Sequence, residues 1–216
     1  MQGDGGPAAP WDYARSSLDE DETLLDARLA GEDFGCVPIE PAEGAVLRFL
    51  ATTGRARSVV EIGTGTGVSG LWLLRGMAQD GVLTTIDIEP EHQRAARAAF
   101  LGAGYPTSRL RLINGRALDV LPRLADAAYD LVFVDALFVE YPRYLDEAIR
   151  LLRPGGVVAL SGALPDDDPR ELSRDPDHLA VREVQRVCQQ HDELILLPLP
   201  IGPGLLVAAK SLHPRL

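Results

Sequence analysis

Three short stretches carry residues whose types and spacing could do chemistry. "EIGTGTGVSG", Glu61 to Gly70, sets a carboxylate in front of clustered glycines, and Gly65, Gly67 and Gly70 spell a literal GxGxxG. "VLTTID" ends a β-branched run on Asp87, where an acid can grip a ribose. "YDLVFVD" runs an apolar strand pattern into Asp135. A dinucleotide needs a helix N-terminus aimed at its pyrophosphate, and a carboxylate just before the loop repels that group. A ligand carrying an ammonium and a sulfonium is attracted by the same carboxylate. With Glu61 in front, the relevant triplet is Gly63, Gly65 and Gly67, which lets backbone approach an amino acid moiety. Gly70 then belongs to the following helix.

These residues need a scaffold, and the chain alternates strand and helix to supply one. "SVVEIG", "VLTTIDI", "LRLIN", "YDLVFVD" and "RPGGVVALSG" read as strands. "VSGLWLLRGMA", "EPEHQRAARAAFLGAG", "ALDVLPRLA" and a segment ending at Leu152 read as helices between them. Right-handed crossovers make this a doubly wound α/β fold with a mostly parallel sheet of seven strands. The last two strands, "ELILLPLP" and "LLVAAK", are joined by "IGPG", too short for a crossover, so they pair antiparallel. Ahead of the alternation, Met1–Pro10 has the composition of a mobile tail. Trp11 to Ala30 reads as an accessory helix within residues 11–35, with Ser17 or Asp19 as cap and Gly31 as stop. A second helix runs from Pro41 to Gly54, with Ala45, Val46, Leu47, Phe49 and Leu50 as its apolar positions. Residues 11–216 are expected to form one domain.

Composition excludes several partners. The 216 residues carry 21 Lys plus Arg against 32 Asp plus Glu, a net charge of -11 that repels nucleic acid and anionic lipid. No apolar run approaches the roughly 20 residues of a membrane helix. With two cysteines and no basic, apolar leader, the protein is expected to be cytoplasmic and reduced.

A parallel sheet closed by a C-terminal antiparallel hairpin is the arrangement of class I S-adenosylmethionine methyltransferases. Within them, "VVEIGTGTGVSGLWLL", "LTTIDIEPEHQRAARAAF", "RLINGRALDVLPRL", "RLLRPGGVV" and "LPLPIGPGLLVAAK" resemble, in order, the blocks of the catechol and caffeoyl-CoA type O-methyltransferases, in an actinobacterial branch. The resemblance spans about Gly35 to Lys210. It implies S-adenosylmethionine as cofactor. By position, the backbone of Ile39 touches the methionine end, and Glu61, Gly63, Thr64, Gly65 and Ser69 hold the amino acid moiety. Asp87 and Ile88 take the ribose and adenine, and Gly115, Arg116 and Ala117 flank the adenine ring. Asp135 sits beside both cofactor and acceptor. It further implies a small-molecule acceptor and a homodimer.

Departures from the pattern are informative. In metal-dependent members the fourth strand runs into Asp-x-Asp-Lys and the fifth ends in Asp-Asn, which together provide cation ligands and a base. Here the runs are Asp135, Ala136, Leu137, Phe138 and Ser161, Gly162. One surviving acid is too few for a hard cation, so no metal is expected unless Asp166–Asp168 substitute. A phenol of pKa about 10 must still lose its proton, and Asp135 is the expected group for this, with Tyr141, Tyr144 and His178 behind it. Phe138, Tyr141 and Tyr144 are candidates to wall an aromatic acceptor, with core packing as the rival role. The four histidines lack metal-ligand spacing, and His92 reads as part of a polar helix face. Two functions follow: O-methylation of a small acceptor without a metal, or an S-adenosylmethionine-binding protein that has lost turnover. An oxidoreductase is a distant third.

Overall fold

A computed structural model describes residues 18–164 and 175–212. The Met1–Pro10 tail, the Asp166–Asp168 run and residues 11–17 of the predicted accessory helix, with the candidate cap Ser17, lie outside the described residues.

The first described helix, α1 (Glu22–Phe34), differs from the predicted one at both ends. Asp21 caps it, its carboxylate accepting from the Leu24 amide at 3.1 Å, and Gly35 ends it at φ 68°, a left-handed turn that glycine adopts without strain. Gly31 is no stop; it lies inside the helix because Pro38 packs so closely that a Cβ there would come within 2.9 Å. Helix α2 (Pro41–Thr53) starts with proline as expected, though Phe49 points outward at 65% exposure.

The alternation then runs as read: β1 (Ser58–Ile62), α3 (Val68–Gly76), β2 (Val82–Asp87), α4 (Pro90–Gly102), β3 (Leu110–Asn114), α5 (Ala117–Val120), β4 (Tyr129–Val134), α6 (Tyr141–Leu151), β5 (Leu152–Leu160). Helix α7 (Pro176–Gln190) leads to β6 (Leu194–Leu199) and β7 (Leu205–Lys210). The sheet order is β3-β2-β1-β4-β5-β7-β6. Strands β1 to β5 pair in parallel, and β7 pairs antiparallel with both β5 and β6. Helix α6 passes into β5 without a loop, so the strand starts earlier than the sequence suggested.

Period-two alternation sends successive strand residues to opposite faces. Val59, Leu83, Leu131 and Phe133 pack with Leu24, Leu47, Leu71 and Phe100 of α1 to α4. Val60, Ile86, Val132 and Val158 pack with Leu121, Leu145, Val184 and Cys188 on the other side. Cys188 is fully buried, as its Val181–Val184 face predicted, and burial pushes its thiol up to about 11. The strand order reverses between β1 and β4, the switch point where such sheets open a crevice beyond their carboxyl ends.

Candidate active site

That crevice is a cavity of about 700 Å³. Its walls include Ile39, Gly63, Thr64, Gly65, Ser69, Asp87, Ile88, Gly115, Arg116, Ala117 and Asp135, so the fold brings together every sequence-predicted site residue except Glu61. Glu61 stands one layer behind, with no exposed surface.

Glycine geometry shapes the first wall. Gly63 has φ 94°, and a Cβ there would lie 1.9 Å from the Asp135 carbonyl oxygen, so only glycine fits where β1 and β4 part. Gly67 at φ 95° turns the chain into α3 with no side-chain cap; Ser69 therefore does not cap this helix but lines the cavity. Gly70 does sit in the helix, against Phe100. Asp87 fastens the loop: its Oδ2 accepts from the Thr64 and Gly65 amides at 3.0 and 2.9 Å, and its Oδ1 from the Glu89 amide at 2.9 Å.

Behind the loop, hydrogen bonds run in one direction toward Glu61. Gln93 donates to Thr64 at 2.8 Å, the Thr64 and Thr85 hydroxyls meet at 2.7 Å, and Thr85 donates to Glu61 Oε2 at 2.6 Å. Glu61 Oε1 is buried without a partner. Burial pushes the carboxyl up to about 8, against the pull of the Thr85 and Ser69 hydroxyls and with the push of Asp135 and Asp87. A buried oxygen left unsatisfied beside a glycine cradle fits a ligand that brings a cation. Ile39 is buried at the cavity edge, and its carbonyl accepts from Arg28 at 2.9 Å.

At the opposite wall, Asp135 extends β4, its amide donating to the Ile62 carbonyl at 2.8 Å. Burial raises its carboxyl to about 6. Of the aromatic trio, Tyr144 alone reaches the cavity; Phe138 and Tyr141 pack among the core residues beside α6. Tyr141 is buried, donates its hydroxyl to the Ser161 carbonyl at 2.9 Å and is pushed far above the ordinary phenol range, which disqualifies it as a base. Tyr144 donates to Glu140, which also accepts from Arg116 at 2.8 Å, and burial raises its phenol too. His178 is exposed on α7, away from the cavity walls.

Two residues escaped the sequence reading. His92 does not lie on a solvated face but lines the cavity, its Nδ1 3.5 Å from Asp87 Oδ2, because the turn after β2 folds α4 back over the loop. Glu43 is fully buried, with Oε1 accepting from the Ser161 hydroxyl at 2.8 Å and Oε2 unpartnered. An acid inside the apolar pattern "PAEGAVL" was the available signal.

The residues at the ends of β4 and β5 do not fit a divalent cation. The Ser161 hydroxyl is committed to Glu43, and the Phe138 ring lies so close to Gly162 that a Cβ there would meet it at 2.7 Å. Among the described residues, no three His, Cys, Asp or Glu side chains are grouped to hold a metal.

Comparisons with known proteins identify the family. The family of O-methyltransferases matches residues 17–211. A relative from Mycolicibacterium vanbaalenii, named as an O-methyltransferase, is 49% identical over 204 residues, covering 92% of this chain and 88% of its own. Rv1220c of Mycobacterium tuberculosis, named likewise, is 49% identical, covering 93% and 90%. A crystal structure from Corynebacterium glutamicum superposes with TM-score 0.86 at 34% identity, covering 95% of this chain and 97% of that one. TomG from Streptomyces achromogenes, an O-methyltransferase of tomaymycin synthesis solved with S-adenosylmethionine, gives TM-score 0.81 at 29% identity, covering 93% and 95%. The chain thus belongs to the O-methyltransferase family and is an S-adenosylmethionine-dependent enzyme.

Proposed function

We propose that this enzyme O-methylates a small-molecule acceptor without a divalent metal, using Asp135 to orient and deprotonate the acceptor hydroxyl. The observation that carries this is the pairing of a donor cradle with an acceptor wall on which Ser161 and Gly162 stand at cation-ligand positions and Phe138 at the position of the lysine base. When bound, S-adenosylmethionine supplies an electrophilic methyl group on a sulfonium. Glu61 sets a negative charge toward the ammonium end, and Gly63 to Gly65 allow close backbone approach. Ile39 and Ser69 close the methionine side, Asp87 and Ile88 face the ribose, and Gly115 to Ala117 border the adenine. Asp135 accepts the hydroxyl proton, and the cavity walls hold the oxygen in line with the methyl carbon.

No observation favours the reading of a binder without turnover. The described strands share one sheet, which supports a single methyltransferase domain over residues 11–216. The net charge of -11 supports an enzyme that binds neither nucleic acid nor anionic membrane, and the free thiols of Cys36 and Cys188 fit a reducing, cytoplasmic location. Edge strand β6 leaves Ile195 and Leu197 at 60% and 51% exposure, a face suited to a homodimer. The test is a methyl-transfer screen over small hydroxylated aromatics, each run with and without EDTA. Turnover insensitive to EDTA and lost in Asp135→Ala is expected; inhibition by EDTA, or full turnover of Asp135→Ala, overturns the proposal.

A further inference from the structure

Glu43 is a buried acid that the cofactor cradle does not use. It rises from the first turn of α2, and its Oε1 accepts from the Ser161 hydroxyl at 2.8 Å. The Ser161 amide donates to the Val134 carbonyl at 2.9 Å, so Ser161 stands abreast of Asp135 at the ends of neighbouring strands. Oε2 has no partner and lies against the β6–β7 turn, where a Cβ on Gly202 would come within 2.4 Å of it. The groups bearing on Glu43 are Glu40 from its own helix cap, Asp135 after β4, Tyr141 at the start of α6 and Ser161 after β5, and Asp135 is itself faced by the buried Glu61 of β1. None is a cation, and among the described residues neither Glu43 nor Asp135 joins an ion pair.

We propose that Glu43 is a positioning residue for methyl transfer: it forms with Asp135, at the cavity wall, a carboxyl pair holding one negative charge, in which Glu43 keeps the proton and Asp135 faces the acceptor ionised. Glu43 is fully buried and Asp135 is half-buried at the cavity wall, and two neighbouring carboxylates so placed without a counter-ion resist ionising together. Asp135 lines the cavity and Glu43 does not, which fixes the division of labour. The order of ionisation agrees: burial lifts Asp135 to about 6, whereas burial and the Asp135 charge lift Glu43 to about 7. In the step itself, Asp135 takes the acceptor proton, the acceptor oxygen bonds the methyl carbon, and the carbon–sulfur bond breaks with its electron pair left on sulfur. The pair is then neutral, and Asp135 returns its proton to water after product leaves.

This rests on Asp135 facing the acceptor, but its test reads the pair directly and succeeds or fails whatever the EDTA screen gives. The full chain, labelled with carboxyl-13C glutamate and without ligand, is titrated by NMR; the Glu43 resonance is the one missing in Glu43→Gln. The expected midpoint lies near neutrality, falls by about one pH unit or more in Asp135→Asn, and rises in Ser161→Ala, which removes a hydrogen bond to the ionised form. Ser161→Ala also identifies the resonance if Glu43→Gln does not fold. A midpoint in the ordinary carboxylate range, or one indifferent to Asp135→Asn, overturns the proposal.

Discussion

Binding of S-adenosylmethionine should release close to one proton near neutral pH, and Glu61 should be its source. The Glu61 carboxyl is fully buried, holds one unpartnered oxygen and is pushed up to about 8. Such a group is roughly 90% protonated at pH 7. A cationic ligand favours the ionised form, so binding expels that proton and affinity rises up to about tenfold per pH unit below 8. The ligand's own amine titrates near 7.7 to 8, so measurements from pH 6 to 7 isolate the protein's contribution. Calorimetry in two buffers of different ionisation enthalpy counts the protons. Wild type should release about 0.9 at pH 7 and Glu61→Gln close to none. A wild type that releases no proton, or a Glu61→Gln variant that releases as many, refutes the coupling. The same group governs stability without ligand. Its folded value lies above its unfolded one, so its contribution is fully present below about pH 4.5 and is lost as pH climbs to about 8. That span corresponds to on the order of 5 kcal/mol, and urea midpoints of Glu61→Gln should decline less over it.

Three further outcomes follow from the geometry. Gly63→Ala forces a Cβ into the Asp135 carbonyl, so calorimetric binding should disappear and the melting temperature fall by several degrees. Gly162→Ala meets the Phe138 ring at φ 64° and should cost about 1–3 kcal/mol in urea unfolding, less in the Phe138→Ala background, where a double-mutant cycle exposes the coupling. Asp130 accepts from the Arg57 and Ser58 amides at 2.7 and 2.8 Å and from Arg153 at 2.6 Å, which hold its carboxyl below the usual range. Its stabilisation is present above the unfolded value and lost as pH falls, so Asp130→Asn should lower stability by about 1–3 kcal/mol at neutral pH and by less under acid.

The donor half of the site was legible in the sequence because it is specified by backbone. Strand ends, glycines at left-handed φ and the spacing from Glu61 to Asp87 are local properties, and local properties leave marks in short stretches. The acceptor half depends on contacts between distant segments. Glu43 and Ser161 are 118 residues apart, and no periodicity announces that they meet. His92 was misread because helical spacing gives a face but not what that face is folded against; the turn after β2 decides it. Gly31 looked like a stop because glycine ends many helices, yet here close packing of Pro38 requires it.

The division between the two halves bears on which acceptors the enzyme can use. Orientation of a bound pair can supply about 7 to 11 kcal/mol of the barrier to an in-line displacement, and a rigid cradle of glycines and paired strand ends provides it without a cation. Deprotonation is a separate demand. A carboxyl raised to about 6 is a weak base toward a phenol of pKa about 10, the gap amounting to roughly 5 kcal/mol. An acceptor with an electron-withdrawing substituent, and hence a hydroxyl nearer pKa 7, narrows that gap to roughly 1 kcal/mol. Across a series of substituted phenols at fixed pH, kcat/KM should therefore rise as acceptor pKa falls toward 7, then flatten once the hydroxyl is already ionised in water. The rising part should be steepest in Asp135→Asn, where no carboxylate shares the proton. A series whose best substrates are the least acidic phenols would place the proton elsewhere than on Asp135.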